Sequence, residues 1–143
     1  MDTTSHKQAE GLIISSLDLQ SPAIIEVDPL ILEFPEFDQN LRNREVFVGR
    51  IDEPNAPIYN KDSLLHALNR ICNFPDYFGF NWDALVDCLW DFSWNPARGY
   101  ILIYNHPENL DQSDLRVFMD IIRDTSTHWM HNNVPFKLLI AKR

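Results

Sequence analysis

Phe74-Pro75-Asp76-Tyr77-Phe78-Gly79-Phe80-Asn81-Trp82-Asp83-Ala84-Leu85-Val86-Asp87-Cys88-Leu89-Trp90-Asp91-Phe92 joins an aromatic turn to three aspartates spaced four residues apart. At ~100° per residue, a helix here gathers Asp83, Asp87 and Asp91 into an arc of about 80° and turns Leu85, Cys88, Leu89 and Phe92 to the opposite side. Like charges at this spacing weaken a helix. Neither Lys nor Arg occurs from Ile71 to Ala97, so a cation from elsewhere must relieve the stripe, and we assign that cation to a partner. Asn81 is a natural N-cap for this helix, and Pro96 stops it soon after Phe92. Gly79, the one glycine between Gly49 and Gly99, suits a turn residue at positive φ.

Working outward, Leu64, Leu65, Leu68, Ile71 and Cys72 recur at helical spacing behind Asn60, which predicts a helix near 61–72 stopped by Pro75. Glu45–Ile51 is β-rich and runs into a loop carrying Pro54 and Pro57. Gly99–Tyr104 is an apolar run bounded by turn signals, hence a buried strand. Leu115, Phe118, Met119, Ile122, Ser126 and Trp129 mark one face of a helix from Gln112 to His131, capped by Asp111 or Ser113. Pro135–Ala141 reads as a closing strand. The order β-α-α-β-α-β over 44–143 predicts an α/β fold with a small three-stranded parallel sheet flanked by helices.

Ahead of it, the apolar runs Leu12-Ile13-Ile14, Ala23-Ile24-Ile25 and Leu30-Ile31-Leu32 alternate with Asp, Ser and Pro, and read as short strands. Pro35 and the polar Asp38-Gln39-Asn40 mark a boundary after them.

The 143 residues, 45% hydrophobic and 12% aromatic, supply a core for one domain. A formal charge of −9 argues against a protein that tracks phosphate backbones. Residues 1–43 hold eight acids and two bases, so much of that charge lies outside the stripe. Cys72 and Cys88 read as buried free thiols, with a disulfide between them left open, and their spacing with His66 completes no zinc pattern. The amino terminus lacks a signal-peptide pattern and no apolar run nears membrane-spanning length, so a cytoplasmic protein is expected.

Phe74-Pro75-Asp76-Tyr77-Phe78-Gly79-x-Asn81-x-Asp83-Ala84-Leu85-x-Asp87-Cys88-Leu89 resembles, without gaps, the signature of the barstar family of intracellular ribonuclease inhibitors. The resemblance covers 44–143 as a barstar-like inhibitor domain and leaves 1–43 as an N-terminal extension of short strands, packed on the same domain. It implies that the turn and helix plug the active site of a ribonuclease, with carboxylates imitating RNA phosphates and a further acid from the third helix. Residue by residue this implicates Tyr77, Asp83, Asp87 and Asp120. Val86 stands where the family has an aromatic residue, Phe92 where it has a tryptophan, and Trp90 and Asp91 replace smaller residues. The target is therefore expected to be a different ribonuclease or another nuclease toxin.

The partner-facing set is accordingly Tyr77, Gly79, Phe80, Asn81, Asp83, Val86, Asp87, Trp90, Asp91 and Asp120. An acid at Asp83 is favoured by the helix macrodipole whatever its function, whereas Asp87 is mid-helix and Asp91 is disfavoured by the dipole. Tyr77 and Trp90 are the aromatic anchor candidates. An alternative takes Asp83, Asp87 and Asp120 as Mg²⁺ ligands of a hydrolase. Against it, the motif holds no Lys or His, and the chain has no P-loop, GxSxG or HExxH. A barstar-like regulatory module without nuclease inhibition is a third reading. The reading adopted is an inhibitor or immunity protein, not an enzyme, with no cofactor or metal, a basic nuclease as partner, and no nucleic-acid or membrane contact.

Overall fold

The computed structural model describes residues 3–52 and 57–143; Pro54, assigned above to a loop, lies outside them. Helix α1 (Thr3–Leu17) leads to strand β1 (Ile24–Val27), the single-turn helix α2 (Pro29–Leu32) and α3 (Pro35–Asn43). Then follow β2 (Val46–Arg50), α4 (Lys61–Cys72), α5 (Trp82–Asp91), β3 (Gly99–Tyr104), a 3₁₀ turn (Pro107–Asn109), α6 (Gln112–Met130) and β4 (Phe136–Ala141). The β-α-α-β-α-β order expected after residue 44 is present.

The sheet has four strands, not the three expected: it runs β1-β4-β3-β2, parallel throughout. Ile24–Val27 joins it by pairing with Leu138–Ala141. The other two apolar runs before it are helical rather than extended. Leu12 and Ile13 are buried with Ser16, whose hydroxyl donates to the Leu12 carbonyl at 2.7 Å, a helical i, i+4 relation. Asp28 caps Leu30-Ile31-Leu32 by accepting from the Leu30 N–H at 3.0 Å, with Pro29 in the first turn. Pro35 and Asp38-Gln39-Asn40 are likewise no boundary. Pro35 opens α3, and buried Asp38 takes a two-pronged grip on Arg50 of β2, both contacts at 2.8 Å.

Every residue of β3 and β4 is buried because both sheet faces are covered. Tyr100, Leu102, Tyr104, Phe136 and Leu138 face α4, α5 and α6. Val46, Val48, Ile101, Ile103, Leu139 and Ala141 face Leu12, Ile13, Leu32, Phe37 and Leu41 of the amino-terminal helices. The acidic helix and the amino-terminal helices thus lie in opposite layers. Cys72 and Cys88 are buried free thiols. Among the described residues, no helix is long and apolar enough to cross a membrane.

Candidate functional site

The turn before α5 is held at both ends by local chemistry. Asn73 closes α4 in the left-handed region (φ 53°), donating its N–H to the Asn69 carbonyl. Phe78 donates to the Pro75 carbonyl at 2.9 Å, and its buried ring lies 4.7 Å from both Phe74 and Phe80. Positive φ falls on Phe80 (52°) and not on Gly79, contrary to expectation. What Gly79 supplies is space: a Cβ there would meet the Asn81 side-chain nitrogen at 3.3 Å. That matters because Asn81 caps α5, its Oδ1 accepting from the Ala84 N–H at 2.8 Å.

From this start α5 presents what its spacing predicts. Leu85, Cys88 and Leu89 are buried, whereas Asp83, Asp87 and Asp91 are exposed. None of the three aspartates forms an ion pair among the described residues. Tyr77 stands 65% exposed beside the stripe. Its phenol is held above the usual pKa, first by desolvation and then by Cys88, Asp91 and Asp87. Tyrosine and acids therefore share one surface. Val86 is half-buried and packs against the core, while Phe92, in the left-handed region (φ 48°), is buried and closes the helix.

Asp120 differs from the α5 acids in having a cation already: Arg123 Nη1 lies 3.0 Å from its carboxylate. An exposed pair of this kind is weak and exchangeable. Among the described residues, Asp83, Asp87 and Asp120 belong to no group of three or more potential metal ligands.

Two histidines outside the partner-facing set support the exposed aromatics. His66 of α4 stacks on Phe80 at 4.5 Å, and His128 of α6 stacks on Trp90 at 4.4 Å. Trp129 adds a third tie, its Nε1 donating to the Leu89 carbonyl at 2.9 Å. These contacts join elements distant in sequence, so no local motif announces them. A cleft of about 1110 Å³ beside the ends of β2 and β3 contains none of the partner-facing set. Several of its polar groups are satisfied internally: Asp38 grips Arg50, and Asp52 accepts from the Asn105 and His106 N–H groups at 2.8 and 2.6 Å.

Compared with known proteins, the chain matches the family model described as Barstar (barnase inhibitor) over residues 55–141. The matched span holds the whole turn, α5 and α6, and begins after β2. No curated protein matches the chain.

Proposed function

The chain belongs to the barstar family, and we propose that it is an intracellular inhibitor or immunity protein that occupies the cationic active site of a ribonuclease or related nuclease toxin. The observation that carries this reading is the row of exposed Asp83, Asp87 and Asp91, without ion-pair partners among the described residues, on a helix anchored by Leu85 and Leu89.

A nuclease active site concentrates positive groups to stabilise charge developing on a transferred phosphoryl group. Carboxylates set at fixed spacing compete for those groups by electrostatic complementarity, and no bond need be made or broken. The i, i+4 repulsion that costs α5 stability when free is relieved when cations arrive. Tyr77 and Trp90 supply apolar area at the edges of the row. Asp120 adds its charge once Arg123 is displaced or retained as a bridge. The chain acts by occlusion, and nothing in this reading requires a cofactor.

The test is titration of the purified protein into RNA cleavage by barnase and a panel of other secreted microbial ribonucleases. Stoichiometric loss of cleavage for at least one of them is expected, and Asp87→Ala should relieve it. Full cleavage across the panel at about tenfold excess of inhibitor, or equal inhibition by wild type and Asp87→Ala, would overturn the reading.

A further inference from the structure

Trp90 is 39% exposed at the last turn of α5, yet it is not a free side chain. Its ring lies 15° from parallel with His128, with centroids 4.4 Å apart. The same imidazole places Nε2 3.0 Å from the Trp90 carbonyl, so an Nε2–H donates to the backbone while the ring supports the indole. The next residue, Trp129, holds the Leu89 carbonyl. α5 has no basic residue in its last turn, and α6 satisfies these two carbonyls from outside.

Capping alone would need just a donor near the Trp90 carbonyl. It would not require the imidazole plane to lie along the indole. The stack is thus a second contact, and its effect falls on an exposed large aromatic that directly precedes Asp91. Immobilising an exposed side chain before association lowers the ordering cost of binding.

We propose that His128 is a positioning residue: by stacking on Trp90, it holds the indole as a rigid aromatic anchor at the carboxyl end of the acidic row. The inference rests on the inhibitor reading and extends it to a residue on a different helix. His128 need not touch the partner. It fixes which face of Trp90 does.

Two substitutions separate the stack from the cap. His128→Gln keeps an N–H donor and removes the ring, and His128→Phe keeps an aromatic ring and removes the donor. In the free protein, the Trp90 signal is obtained by subtracting the fluorescence of Trp90→Phe from each spectrum, and its anisotropy and acrylamide quenching are read. Wild type and His128→Phe should show a rigid indole, and His128→Gln a mobile one, with melting temperatures recorded for all three. With barnase as probe, His128→Gln should dissociate about tenfold faster, and His128→Phe should stay within about threefold of wild type.

A Trp90 signal equally mobile in all three proteins would overturn the inference. So would rapid dissociation of His128→Phe with normal dissociation of His128→Gln, which is the behaviour of a cap. If wild type fails to bind barnase, or Asp87→Ala binds as well as wild type, the failure lies in the inhibitor reading for that target. The free-protein anisotropy then decides the clamp: loosening confined to His128→Gln supports it, and no difference rejects it.

Discussion

Lys137 Nζ donates to the Ser21 carbonyl at 2.6 Å, tying the start of β4 to the segment that enters β1. Lys137 is fully buried, and burial holds its amine below the ordinary value of 10.5, with Asp18 pulling the other way. In the interval between the folded and unfolded values the unfolded chain binds more protons, so this group makes stability rise with pH there. Below that interval its cost is constant. Lys137→Met should remove the rise while staying within about 2 kcal/mol of wild type, because an apolar side chain of similar length replaces a desolvated charge. Urea melts of both proteins from pH 7 to 11 check this: the difference between them must change in favour of wild type as pH rises.

Tyr104 gives the opposite slope. Its hydroxyl is buried without a hydrogen-bond partner among the described residues, and its pKa is raised well beyond the usual tyrosine range by burial, then by Asp52 and Glu108. The unfolded phenol ionises from about pH 10 while the folded one stays protonated, so its contribution is lost as pH rises through and beyond that value. Tyr104→Phe should lack this decline. At neutral pH it should be neutral or stabilising by up to about 1 kcal/mol, since an unsatisfied polar group is removed. Marked destabilisation at pH 7 would mean the hydroxyl has a partner.

Layer separation predicts that stability and binding come apart. Phe37 of α3 is 2% exposed in the core formed with Val48, Ile103 and Leu139, on the sheet face opposite α5. Phe37→Ala should cost about 3–5 kcal/mol. Partner affinity measured on the folded fraction should be unchanged. Removing residues 1–43 is more drastic, because it uncovers the apolar face of β2, β3 and β4, and should give a chain that self-associates on size-exclusion chromatography. A well-behaved monomer after that deletion would show that the amino-terminal helices are dispensable for the sheet.

The carboxyl-terminal two-thirds was legible because each element there carries its own punctuation. Asn60 and Asn81 cap as their positions suggest, and Gly99–Tyr104 stands out as an unbroken apolar run. The amino-terminal part was harder for a local reason. Leu12-Ile13-Ile14 beside Gly11 and Ser15-Ser16 combines a β-like run with weak helix formers, and only packing on the sheet settles it as a helix. The fourth strand was hidden similarly: Ala23-Ile24-Ile25 was visible as a short strand, but the pairing of β1 with β4 joins residues more than a hundred positions apart. At the site, the exposed acids followed from helical periodicity. The histidine stacks did not, since His128 meets Trp90 across 38 positions of sequence. Nor did the assignment of positive φ to Phe80, which breaks the usual preference for glycine.

The acidic row itself makes a graded prediction. Asp83, Asp87 and Asp91 are all exposed, so replacing any of them costs the fold little, and the dipole sets the order. Asp83→Ala forfeits a favourable charge in the first turn, about 0.5 kcal/mol. Asp91→Ala removes an unfavourable one from the last turn and should be neutral or slightly stabilising. Asp87→Ala relieves repulsion from both neighbours, about 0.2–0.5 kcal/mol each. Partner binding should run against this order. Asp87, central in the row, should lose most, about 30-fold or more, as expected when a buried charge loses its partner. Association should also slow as salt rises, with a shallower dependence in each variant than in wild type, because steering depends on the summed charge. Stopped-flow association between 25 and 500 mM salt, alongside thermal melts, reads both. Parallel salt slopes for wild type and Asp87→Ala would show that the row takes no part in encounter.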